Sequence, residues 1–345
     1  MWYNGSMGKQ ISFSELEYQN KRKKTQKERF FASMEAIVPL SRWCAIIRPY
    51  YYENGTGRPP IELETILKMY LVSNWFSLSD EQAEDLLCEN LTVRKYVGVE
   101  GDAPDSTTLC KFRHILEVNE LTQVIFDELT GLLRKQDTML KKGTIVDATF
   151  IEAPNSIKNK DKQPNPDMKN GKKGKKHYFG MKAHIGVDKD SGLIHSIATT
   201  TANESDLTNA YKVLHGEEEE NWGDSGYVGI EKRPEICEKY SDGTGEVVGC
   251  HKKTKKPLLR KREDIQFHIN KKRSKVITEE DKEEERLKSQ ARSKVEHAFC
   301  VIKHIFGFRK TRLRTVAKNH VKLLMLATLA NLYRCSQRKI ALKAG

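Results

Sequence analysis

The sequence predicts a mixed α+β protein, with a helical N-terminal region followed by a mixed sheet flanked by helices. Three observations carry this. Residues 60–133 repeat apolar positions at helical spacing, residues 143–200 switch to β-branched and aromatic runs bounded by Gly, Asn and Asp, and helical and strand-like stretches alternate beyond residue 207. A chain of 345 residues can bury such cores without disulfides. Its seven cysteines are odd in number and form no CxxC pair, which points to reduced thiols rather than a zinc or redox motif.

In chain order, residues 1 to about 30 are polar and Lys-rich and read as a mobile or loosely docked segment, within a basic, partly ordered arm over residues 1–57. Pro59 and Pro60 then open a helix in which Ile61, Leu63, Ile66, Leu67, Tyr70, Leu71 and Trp75 share a wide apolar face. Ser79 and Gln82 have capping-box spacing for a second helix. A third, capped by Ser106 or Thr107, runs to about Leu116, turning Leu109, Phe112 and Leu116 inward and Lys111, Arg113 and His114 outward. Short helices ending in a basic member fit a helix-turn-helix-like DNA-binding region over residues 58–138, and equally an ordinary bundle. One more helix is expected over residues 121–133.

Strands are expected at residues 143–151, 177–187 and 193–200, with a turn at Lys189-Asp190-Ser191-Gly192 suited to a hairpin. A helix near residues 207–215, a strand around 222–227, a helix near 230–240 and a strand at 246–250 follow. The acidic run at residues 279–285 leads into a long helix through about Phe306, and residues 318–333 form a last apolar helix. The Lys/Gly-rich insert at residues 155–176 interrupts the strands and is expected to be disordered without DNA.

Charge narrows the partners. The net charge is +13, and from Ala291 onward thirteen Lys or Arg face a single acid, Glu296, so nearly all of the excess sits in the last part of the chain, including a basic tail at residues 336–345. Cations so arranged release counterions from nucleic acid when they neutralise phosphates. The N-terminal residues lack a charged-then-apolar leader, and the longest nearly apolar run, residues 323–332, is about half what a bilayer span requires. A cytoplasmic protein, nucleoid-associated when bound to DNA and with no membrane partner, is the expectation.

Three acids stand out. Asp147 interrupts the apolar run TIVDATFI, where an unpaired carboxylate is costly without a cation or hydrogen-bond donor. Asp224 ends a short strand in WGDSGYVG, and Glu296 lies on the helix ARSKVEHAFCVIKHIF. Val295, Ala298, Phe299, Ile302 and Phe306 make the buried stripe of that helix, which sets Glu296 at its margin, facing the sheet edge, with Arg292 one turn before and Lys303 two turns after. A surface Arg292–Glu296 ion pair is the plainer alternative. Three carboxylates meeting at a sheet edge suit two hard cations, the arrangement used for in-line phosphoryl transfer.

These segments resemble the DDE transposases of the bacterial insertion sequence 5 family. The resemblance runs from about Arg58 to Tyr333 and rests on GRPPIELETILKMYLVSNWFSLSDEQ, PDSTTLCKFRHIL, IVDATFIEAP, KKHYFGMKAHIGVD, WGDSGYVG and RSKVEHAFCVIKHIFGFRKTRLR. Related transposases place an Arg four residues before the Glu and a Lys seven after it, as Arg292, Glu296 and Lys303 do here. Neighbouring families carry a Tyr where this chain has Ser289, so that role is not transferred.

The resemblance implies a ribonuclease-H-like catalytic domain over residues 139–335, with a mixed five-stranded sheet and flanking helices. It implies two magnesium or manganese ions on Asp147, Asp224 and Glu296, and DNA contacts from Arg292, Lys303, Lys111, Arg113, Arg309 and Arg312. The expected partner is double-stranded DNA, as terminal inverted repeats and target, gripped by a homodimer in the synaptic complex. The expected reaction is cleavage followed by strand transfer. A ribonuclease-H-like nuclease without strand transfer and a catalytically inactive, domesticated DNA-binding protein are the alternatives.

Overall fold

The computed structural model describes residues 23–51, 60–140, 142–155, 165–252, 254–271 and 278–340. Residues 1–22, part of the insert (156–164) and the last five residues of the tail (341–345) lie outside the described residues.

Among the described residues seven helices come first: α1 (Gln26–Glu35), α2 (Leu40–Tyr51), α3 (Leu63–Trp75), α4 (Asp80–Glu89), α5 (Leu91–Val97), α6 (Ser106–Val118) and α7 (Leu121–Lys135). The Ser79–Gln82 capping box forms at the start of α4, each side chain bonding the other residue's backbone N–H. At α6 the cap is Asp105, one residue earlier than expected, and its carboxylate accepts from Thr108 N–H. The first two helices give the arm order from Gln26 on, so the loosely docked reading reached a few residues too far along the chain. A Thr25–Glu28 capping box starts α1, and Phe31, Met34, Trp43 and Ile47 are buried in the core. Polar residues on the outer faces of these amphipathic helices masked the buried stripe.

The sheet uses β1 (Gly143–Glu152), β2 (Lys169–Lys173), β3 (Lys176–Asp188), β4 (Ile194–Thr201), then, after the single helical turn α8 (Asp206–Asn209), β5 (Glu220–Gly223). The helix expected at residues 207–215 is thus only α8 continued by a 3₁₀ turn, Ala210–Val213. Beyond α9 (Pro234–Lys239), β6 (Val247–Cys250) and β7 (Pro257–Leu259) pair with each other apart from the main sheet, and β8 (Gln266–Ile269) joins it. β3 runs antiparallel to β1, β2 and β4, while β1–β5 and β5–β8 are parallel. The main sheet therefore has six strands rather than five. The extra strand is β2, whose Lys, Asn and Gly have little intrinsic strand preference. It also corrects the expectation of a wholly disordered insert.

Helix α10 (Glu279–Cys300) continues through a π turn, Val301–Ile305, and α11 (Val316–Gln337) closes the chain. Side chains alternate along β1. Ile145 and Ile151 belong to a large core shared with α10, α11 and the N-terminal helices, whereas Val146 packs on the opposite face with Val213, Tyr227, Ile236 and Tyr240. Asp147 and Thr149 have the parity of Ile145 and Ile151, which turns them toward the α10 side. Asn331 of α11 fastens that layer to the β4 edge, accepting from Ile194 N–H at 2.8 Å and donating to Ile194 C=O at 2.7 Å.

Candidate active site

The parallel β1–β5 register, ending at Ile145↔Trp222, brings Asp147, two residues further along β1, level with Asp224, the first residue past β5. Asp224 begins a 3₁₀ turn, Ser225–Tyr227, and its Oδ1 accepts from Gly226 N–H at 2.8 Å. Asp147 Oδ1 accepts from Ala148 N–H at 2.7 Å. Burial pushes the Asp147 carboxyl up to about 6. The Ala148 bond opposes this, the Asp224 charge adds to it, and the positive charges of Arg292 and Lys173 oppose it. A buried Asp147 carboxyl beside the charge of Asp224 forms a place where a cation gains by entering.

Glu296 departs from its expected setting. The stripe of Val295, Ala298, Phe299, Ile302 and Phe306 is buried as predicted, but the Glu296 side chain is 66% exposed and faces solvent, its carboxylate 3.9 Å from Arg292 Nη2. The surface ion pair, the plainer alternative, thus describes this conformation. Among the described residues no three metal-ligating side chains converge. Arg292 connects the parts: it lies one turn from Glu296, its charge acts on Asp147, and its buried Nε has no hydrogen-bond partner among the described residues. A buried guanidinium nitrogen left unpaired is costly and marks a place for an acceptor.

The remaining basic candidates divide by environment. Lys303 Nζ donates to Thr149 Oγ1 at 2.7 Å and to Phe150 C=O at 2.6 Å, clamping the π turn to β1, and burial lowers its pKa to about 8. Arg309 is exposed and donates to Lys303 C=O and His304 Nδ1. The stretch around it runs beside the end of β1, where Glu152 N–H donates to Arg309 C=O and Thr311 N–H to Glu152 C=O. Arg312 reaches Gln82 Oε1 at 3.2 Å, touching the N-terminal helical region. Lys111 is exposed on α6. Arg113, expected to point outward, is instead partly buried and paired with Asp80 at 2.5 Å, because α6 packs against α4 along that side. Tyr227 escaped the sequence reading: it is buried beside the two aspartates, whose charges help raise its pKa after burial itself. The hint was its place inside WGDSGYVG.

A mixed sheet of order β4-β3-β1-β5-β8, antiparallel in its first three strands and parallel in the rest, with one acid on β1 and another just past β5, defines a ribonuclease-H-like fold. The family model "Transposase DDE domain" matches residues 138–332, and a second, "Transposase domain (DUF772)", matches residues 19–115. The chain belongs to the transposase DDE domain family, and its function is that of a transposase. Such enzymes cleave DNA and generally depend on divalent metal ions. No solved structure matches the chain. Among the described residues no single helix is long and apolar enough to cross a membrane.

Proposed function

We propose that this chain mobilises an insertion sequence by binding its terminal inverted repeats, hydrolysing the phosphodiester at each end, and joining the freed 3′-hydroxyl to target DNA. The observation that carries the reading is the Asp147–Asp224 pair, two acids on neighbouring parallel strands whose mutual repulsion calls for a cation. The residues present fit a pair of magnesium or manganese ions: Asp147 and Asp224 would hold them directly, and Glu296, exposed on α10 and paired there with Arg292, would complete the set by turning toward them. Such ions supply activation of the attacking oxygen and stabilisation of the leaving one.

The chain's own groups do the remaining work. Arg292, with its unpaired Nε, would bind the phosphate at the cut and release Glu296 to the ions as it does so. Lys303 holds β1 to the π turn and so fixes the strand that presents Asp147. In each step one P–O bond forms as one breaks: water and then the 3′-hydroxyl attacks phosphorus, and the displaced 3′-oxygen leaves as a hydroxyl. Lys111, Arg309 and Arg312 lie exposed for DNA contact, and two protomers paired on two ends would carry out the reaction in the cytoplasm, on the nucleoid.

The test incubates the protein and magnesium with a duplex ending in the inverted repeat that flanks the coding sequence, together with a supercoiled plasmid. Cutting at the repeat boundary followed by joined products is expected, with both absent for Asp147→Asn. Cutting without joining would make the protein a nuclease, and binding without cutting an inactive DNA-binding protein.

A further inference from the structure

The strands β2 and β3 form a hairpin. Its tip, residues 172–177, is exposed throughout and reads Lys172-Lys173-Gly174-Lys175-Lys176-His177. In register, Lys173 stands opposite Lys176 and Lys172 opposite His177. Like charges directly opposite one another destabilise a strand pair. No ion pair offsets this for the four tip lysines among the described residues. A composition that works against its own secondary structure is explained by an anion that neutralises it.

The base of the hairpin is nevertheless held firmly. Met168 is buried in the main core at its entry. Gly171 admits no side chain, since a Cβ there would stand 2.2 Å from Ala202 O and 2.5 Å from the Phe150 ring. Phe150 stacks on Tyr178 with centroids 4.8 Å apart and planes at 18°, and Lys182, paired with Asp206, covers the Phe150 ring. At Gly180, with φ +154°, a Cβ would stand 2.2 Å from Ile151 O, so only glycine lets β3 pass β1 this closely where the hairpin leaves the sheet. A rigid base with a cationic tip resembles a finger more than a tether.

Register gives the finger its direction: β3 runs beside β1 as far as Glu152↔Gly180, so the tip projects past the face formed by the C-terminal ends of β1 and β5, and the charge of Lys173 acts there on both Asp147 and Lys303. We infer that the β2–β3 hairpin is a phosphate clamp, pressing Lys172, Lys173, Lys175 and Lys176 onto the backbone of the DNA strand that passes Asp147 and Asp224. The clamp rests on the reading of that face as the cutting site. It contacts backbone rather than bases, because lysine tips meet phosphates as point charges and carry no sequence code.

The test replaces all four lysines with Gln in the full chain and measures affinity against salt for two labelled duplexes, one ending in the flanking inverted repeat and one scrambled. The slope of log Kd against log salt is expected to fall by more than about 1, the value of a single phosphate contact, and equally on both duplexes. Cutting is expected to slow by about tenfold or more while the melting temperature holds or rises, and four Arg replacements restore the slope. A smaller change in slope overturns the clamp, as does a loss confined to the repeat duplex. A wild-type protein that binds but never cuts counts instead against the function proposed above and leaves the slope comparison readable.

Discussion

Asp147 pays in stability for its position. Its carboxyl, raised to about 6 in the folded state against an ordinary 3.8, holds its proton more tightly folded than unfolded. The native state is therefore penalised as pH rises from about 4 through 6, and the full penalty applies at neutral pH. Asp147→Asn is expected to stabilise the metal-free protein at pH 7 by on the order of 1–3 kcal/mol. That gain should disappear below about pH 4, as urea denaturation at both pH values would reveal. Magnesium should raise the melting temperature of the wild type and leave the variant's unchanged, because a ligand of the folded state alone stabilises it. Arg113 argues the other way: bound to Asp80 on the neighbouring helix, it serves packing. Arg113→Ala should lower stability by about 1–3 kcal/mol while altering the salt dependence of DNA binding little.

At the scale of elements, α10 carries Arg292 and Glu296, and its apolar stripe sets how they are presented. Phe299→Ala should cost about 3–5 kcal/mol and slow cutting even in the fraction that remains folded, since Arg292 and Glu296 ride on the same turns. Asn331→Ala leaves both Ile194 backbone groups unpaired in a buried place. A loss of about 2–4 kcal/mol is expected by thermal or urea melting, with hydrogen exchange accelerated along β4 first.

The same elements show what a sequence can reveal. Capping at Ser79 and the stripe of α10 were legible because both are local patterns of spacing three and four. The partner of β5 was not, since Gln266–Ile269 is four residues in a basic stretch and earns its place only by pairing with a strand more than forty residues earlier. Periodicity set Glu296 at the helix margin but could not tell that the margin opens to solvent, because that depends on which neighbours pack beside it. The convergence of Asp147 and Asp224 was legible through their strands, whereas Tyr227 and the β2–β3 hairpin needed the fold.

Across the whole molecule, one apolar core runs from Phe31 through the N-terminal helices to Cys335 of α11 and includes one face of the sheet. Helix α11 packs on α7, α3 and α1 as well as on β4, so the helical region and the sheet are joined by a shared interior rather than by a tether. Circular dichroism and tryptophan fluorescence should report a single coincident unfolding transition, with Trp43 and Trp75 in the helices and Trp222 on β5 as probes. Two separated transitions would show that the shared interior does not couple the two regions.

Asp147, Asp224 and Glu296 are proposed to hold divalent ions at the point of DNA cleavage. Manganese titrated into the complex of protein and end duplex, counted by electron paramagnetic resonance, tests that directly. Two bound ions are expected for the wild type and fewer for each of Asp147→Asn, Asp224→Asn and Glu296→Gln, with cutting lost in step. Full manganese occupancy and undiminished cutting in any one of the three variants would contradict it.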